Sequence, residues 1–89
     1  MKKTCHYLVS GRVQGVCFRM DTEQQAHMLG VTGWVRNLPD GRVEVMATAS
    51  ENTLNQFKQW LKRGPEMAKV LDLTEEEVDL KDFDGFSVR

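Results

Sequence analysis

The sequence predicts an α+β fold: a ferredoxin-like βαββαβ sandwich in which two helices cover one face of an antiparallel sheet. Three observations lead there. Short runs of alternating apolar residues recur along the chain, two segments carry apolar positions at helical spacing, and breaks rich in glycine, proline or polar residues separate the elements. At 89 residues the chain has room for one core, so a single domain spanning 1–89 is expected.

From Thr4 to Arg12, Cys5, Tyr7 and Val9 alternate with His6, Leu8 and Ser10, the pattern of a strand. A loop through Gly11 and Gly15 leads to a helix over Asp21–Leu29. Thr22, Ala26 and Leu29 share one of its faces, and Gly30 is placed to end it. Val31–Leu38 and Arg42–Ala49 are strand-like, and Pro39-Asp40-Gly41 between them is a strong turn signal, so the pair reads as a hairpin. Ser50 is a good N-cap for a second helix with Leu54, Phe57 and Leu61 on its apolar face, and Gly64-Pro65 stops it. Val70–Leu80 reads as a further strand bearing the acidic run Glu75-Glu76-Glu77. A short strand containing Phe86 and Val88 closes the chain within Phe83–Arg89.

This element order has a geometric consequence. In a right-handed βαβ unit the first two strands run parallel, so their C-terminal ends share one edge of the sheet. The first ends at the glycine loop and Arg19, the second at Arg36-Asn37. Two distant groups therefore converge.

Composition narrows the function classes. With 40% hydrophobic and 28% charged residues the chain is an ordinary soluble globular sequence. A net charge of −1 argues against a general nucleic-acid coat or a polybasic membrane binder. No apolar run approaches the roughly 20 residues of a membrane helix, and Met1-Lys2-Lys3-Thr4 leads into no apolar signal segment. A cytoplasmic protein with Cys5 and Cys17 as free thiols is expected, and its small size and exposed charge favour a monomer.

The most chemical stretch is Gly11-Arg12-Val13-Gln14-Gly15-Val16-Cys17-Phe18-Arg19. Two glycines let a strand-to-helix loop curl, and successive N–H groups in such a curl can face an anion. The positive end of the following helix adds to that attraction. Arg19 supplies a permanent charge and a planar fork of donors matched to phosphate oxygens. The expected phosphate contacts are the backbone N–H groups of Gln14, Gly15, Val16, Cys17, Phe18 and Arg19, together with the Arg19 side chain.

These residues also carry a resemblance. The 11–19 stretch, followed by Gly-Trp-Val-x-Asn at 33–37 and Asp-Gly-x-Val-Glu at 40–44, resembles the acylphosphatase family. The likeness runs through Phe57, Trp60-Leu61, Gly64-Pro65 and Phe86, essentially the whole chain. It implies hydrolysis of a small-molecule acyl phosphate to carboxylate and phosphate. Arg19 would bind the phosphoryl group and Asn37 would hold the attacking water. No metal and no cofactor are implied, and no nucleic-acid or membrane partner is expected.

The chemistry makes sense beside the resemblance. The carboxylate leaving group has a conjugate acid of pKa near ~4, so it departs without a general acid. What remains is to gather charge on the phosphoryl oxygens and to aim a water, which positioned donors can do. An amide both donates and accepts, and so suits a water.

Competing readings are weaker. Cys17 lies too close to Arg19 for the longer Cys-to-Arg loop of the cysteine phosphatases. His6 and His27 stand alone, without a second ligand at metal spacing, and are expected at the surface. Arg12 and Arg36 are expected to be solvated or surface-paired, and Tyr7, Phe18 and Trp34 to serve packing. An RNA binder on this fold needs aromatic residues on its central strands, and Arg42–Ala49 has none. A non-catalytic anion-binding module, or an accessory domain of a larger carbamoyl-transfer enzyme, remains a different-class alternative.

Overall fold

A computed structural model describes residues 1–89. The chain runs β1 (Lys2–Arg12), α1 (Phe18–Leu29), β2 (Thr32–Asn37), β3 (Val43–Ser50), α2 (Glu51–Arg63), β4 (Lys69–Val78) and β5 (Phe86–Val88). The strands form one sheet in the order β4-β1-β3-β2-β5. β3 lies between β1 and β2 and is antiparallel to both, so β1 and β2 run the same way. Their C-terminal ends, Arg12 and Asn37, therefore lie at one edge, as the topology predicted.

The last pair departs from the antiparallel expectation. β5 pairs parallel to β2, with Gly33 opposite Phe86 and Val35 opposite Val88. The direction follows from the connection. β4 is antiparallel to β1, and the chain after it crosses the helix-free face of the sheet to reach the far edge. That crossing is strapped down by polar contacts. The Lys81 N–H donates to Thr4 Oγ1 at 2.9 Å, and the Thr48 hydroxyl donates to the Lys81 carbonyl at 2.8 Å.

Alternation of side chains puts Cys5, Tyr7 and Val9 of β1 beside Val43, Val45 and Ala47 of β3 on the helix-covered face. Leu54, Phe57 and Leu61 of α2 pack onto them, as their spacing predicts. Phe57 meets Tyr7 and Phe86 edge-on at ring distances of 6.3 and 6.0 Å. Such pairs contribute about 0.5–1.5 kcal/mol each beyond the area they bury. Ser50 caps α2, its hydroxyl accepting from the Thr53 N–H at 3.3 Å.

Helix α1 starts three residues before the expected Asp21, at Phe18. No capping side chain marks this start, because Cys17 occupies the N-cap without a side-chain bond. Tertiary packing fixes it instead. Phe18 is 1% exposed, and its ring lies 5.7 Å from that of Trp60 on α2. Arg19 consequently projects from the first helical turn and not from the loop.

The helix-free face carries a polar chain. His6 Nε2 lies 2.6 Å from Glu44 Oε2, and Arg36 Nε donates to the other oxygen of Glu44. His6 is thus shielded by an acid where an open surface position was expected. Burial by itself would raise the Glu44 carboxyl, but the hydrogen bonds from His6 and Arg36 outweigh it and hold the carboxyl below its ordinary 4.5. A depressed folded-state pKa gives stability that is present above 4.5 and lost as pH falls through the folded value. Thermal melts from about pH 6 to about pH 3 should therefore show a shallower fall in Tm for Glu44→Gln than for the wild type. Parallel curves would remove Glu44 from the acid response.

Candidate active site

The edge where β1 and β2 end is built from a short loop, one helix start and one strand end. A register shift between Ser10 and Gly11 bends β1 out of its ladder with β4. Gly11 has φ 125°, and a side chain there would run into the Lys69 carbonyl. Gly15 then takes φ 73°, and Cys17 takes φ 63° and ψ 18°. Cys17 is the only non-glycine residue of the chain at positive φ. A left-handed non-glycine residue costs on the order of 1–3 kcal/mol, and such strain collects at functional sites.

The loop leaves its donors free. No backbone N–H of residues 14 to 17 donates to another backbone group. The N-terminus of α1 has no side-chain cap, so the positive end of its dipole also faces outward. Arg19 stands beside these groups. Its guanidinium pairs with no Asp or Glu carboxylate, whereas Arg36 and Arg42 each have one. One of its nitrogens donates to the Arg89 main-chain oxygen at 2.9 Å, which steadies the fork.

Asn37 comes from the end of β2 on the same side. Its amide oxygen is buried and has no hydrogen-bond partner. The Tyr7 hydroxyl is the other such atom, and it lies in the core beside Glu75. An unpaired buried acceptor costs about 1–3 kcal/mol, so its persistence at a cavity edge calls for a use. Gly15, Cys17, Arg19 and Asn37 line one cavity of about 130 Å³, together with Val13, Met20 and Val88. A larger hollow of about 640 Å³ lies between α1 and the end of α2. Its polar walls include Asp21, Gln24 and Arg63 but neither Arg19 nor Asn37, so the smaller cavity is the candidate site.

The other sequence-predicted loop residues have different placements. Phe18 is in the core, Val16 packs partly against it, and the Gln14 side chain turns away from the cavity. Gln14 Nε2 donates to the carbonyls of Leu38 and Arg42 at 2.8 and 2.9 Å. These two hydrogen bonds pin the loop to the β2–β3 turn and so fix the loop relative to Asn37. Gln14→Ala should cost about 1–2 kcal/mol in chemical denaturation and weaken inhibition by inorganic phosphate several-fold. Unchanged inhibition would show that the loop holds its shape without the pin.

Sequence reasoning missed the support from the C-terminal residues. The Arg89 guanidinium stacks over Trp34 at 4.6 Å from the ring centroid, and Arg36 lies over the same ring at 5.2 Å. Trp34 is 9% exposed on the helix-free face, with two cations over its ring. Arg89 in turn supplies the oxygen that steadies Arg19. A lone terminal arginine carries no local signal for this role, because its partners come from β2 and α1.

A split βαβ sandwich that brings a loop of free N–H groups, an arginine and an asparagine to one sheet edge is the layout of a candidate anion site. Comparison with known proteins gives the family. The acylphosphatase family pattern matches residues 5–88. An acylphosphatase of Nitrosococcus oceani is 49% identical over 82 residues, 92% of each chain. One of Pseudomonas paraeruginosa is 47% identical over 90 residues, covering 100% of this chain and 99% of its own. The solved structure of an acylphosphatase from Coxiella burnetii superposes with a TM-score of 0.95 at 39% identity, covering 99% of this chain and 93% of that one. The chain belongs to the acylphosphatase family of hydrolases.

Proposed function

We propose that the chain hydrolyses small-molecule acyl phosphates by direct displacement, with Arg19 and the loop N–H groups of residues 14 to 19 holding the phosphoryl group and Asn37 orienting the water. Family and fold support acyl-phosphate hydrolysis as the reaction. The observation that carries the residue roles is one cavity lined by both Arg19, whose guanidinium has no Asp or Glu partner, and Asn37, whose amide oxygen is buried without a hydrogen-bond partner.

In this reading the water oxygen attacks phosphorus while the bond from phosphorus to the acyl oxygen breaks. The bonding pair leaves with the carboxylate, and the water's proton ends on phosphate or solvent. Charge spread over the phosphoryl oxygens meets donors already in place, which is where a metal-free site gains its rate. Asn37 holds the water through its side-chain amide, which can both donate and accept, and so turns a lone pair toward phosphorus. The exposed Cys17 thiol lies at the cavity but has no step to perform. Two free thiols suit a reducing compartment such as the cytoplasm, and the reading takes the chain as a monomer acting as one unit over 1–89.

The deciding experiment is hydrolysis of acetyl phosphate by the purified chain with a chelator present. Turnover that survives the chelator is expected. Phosphate binding without turnover would instead mark a non-catalytic anion module, and loss of turnover with the chelator would overturn the metal-free mechanism.

A further inference from the structure

Seven large apolar side chains are exposed, and most are scattered over the surface. Two are not. Met20, 61% exposed, and Val88, 37% exposed, border the cavity that holds Arg19 and Asn37. They come from different elements, the first turn of α1 and the strand β5. Buried Val13 adds a third apolar side chain to the same lining. Single exposed apolar residues need no explanation, but apolar residues meeting around a cavity that holds a few polar groups are the usual make-up of a ligand site.

The polar inventory of that lining is short. Arg19 is its only charged residue, and Asn37 its only amide. Both are committed to the phosphoryl group and the water in the reading above, on which this inference rests. Nothing in the lining remains to pair a carboxylate, ammonium or second phosphate on the acyl portion. A charged acyl group would lose water against Met20 and Val88 without recovering a partner.

The geometry points to Met20 and Val88 as the platform for the acyl group, and to acyl phosphates with apolar acyl portions as the substrate class. Arg19 and Met20 are adjacent in sequence, and Val88 precedes the residue whose oxygen steadies Arg19. Phosphoryl binding and acyl binding are therefore set by the same two short segments.

The test is a chain-length series. Acetyl, propionyl and butyryl phosphate have near-identical leaving groups, and succinyl phosphate matches butyryl in length but ends in a carboxylate. The wild-type kcat/KM should rise about twofold to fourfold per added methylene, the value of partial to full methylene burial. Succinyl phosphate should fall at least about tenfold below butyryl phosphate, because its second charge is left unpaired. Met20→Ser and Val88→Ser should flatten the chain-length slope, while Met20→Leu keeps it. Inhibition by inorganic phosphate, which reads the phosphoryl pocket alone, should shift less than about twofold in Met20→Ser.

A flat wild-type series, preference for succinyl phosphate, or a Met20→Ser/Val88→Ser variant that keeps the slope would each overturn the platform. If the double variant does not fold, the wild-type series and the two single variants decide. Failure to hydrolyse any acyl phosphate would sink the acyl-phosphate reading itself. Equal hydrolysis of all four sinks only the platform.

Discussion

Arg19→Ala should lower kcat/KM for acetyl phosphate by about 10³-fold or more, the scale of losing an arginine that stabilises a transferring phosphoryl group. The size follows from what else is present. No other charged side chain lines the cavity, so no second cation can take over. Arg19→Lys keeps the charge but loses the planar fork, and should recover only part of the loss. Inhibition by inorganic phosphate should weaken in both variants, because the ground-state anion uses the same donors. Stability should hardly change. Arg19 makes one hydrogen bond to the chain, at the surface, and surface substitutions usually stay within about 0.5 kcal/mol. An Arg19→Ala protein with wild-type melting and near-wild-type turnover would remove Arg19 from the site.

How far the sequence reveals this molecule depends on which forces are local. The second helix was legible because its cap at Ser50, its apolar face and its stop at Gly64 are all short-range signals. The hairpin was legible for the same reason. The start of α1 was not, since Phe18 is helical through its burial against α2 and no cap marks the boundary. The partner and direction of β5 were equally hidden, because three residues cannot specify which distant strand they join. The site divides along the same line. Glycines, Arg19 and Asn37 can be placed by loop chemistry and topology. The Gln14 pin, the Arg89–Trp34 stack and the Met20–Val88 pair are side-chain meetings across elements, and spacing along the chain does not encode them.

Asn37→Ala should lower kcat by about 10²-fold to 10³-fold, the typical loss when one positioned polar group is removed from a preorganised site. Phosphate inhibition should move less than about twofold, since Asn37 is assigned to the water and not to the phosphoryl oxygens. The variant also carries a stability signature. Its amide oxygen is buried and unpaired in the folded chain, a cost of about 1–3 kcal/mol that alanine would not bear. Asn37→Ala should therefore melt at the wild-type temperature or above it while losing turnover. A purely structural asparagine gives the opposite pair of results, lower stability with activity reduced in proportion to the unfolded fraction. Gain in stability with loss of kcat would mean that the fold gives up stability to keep Asn37 at the candidate site. If instead the variant melts early and turns over normally below its Tm, the water is held by some other group.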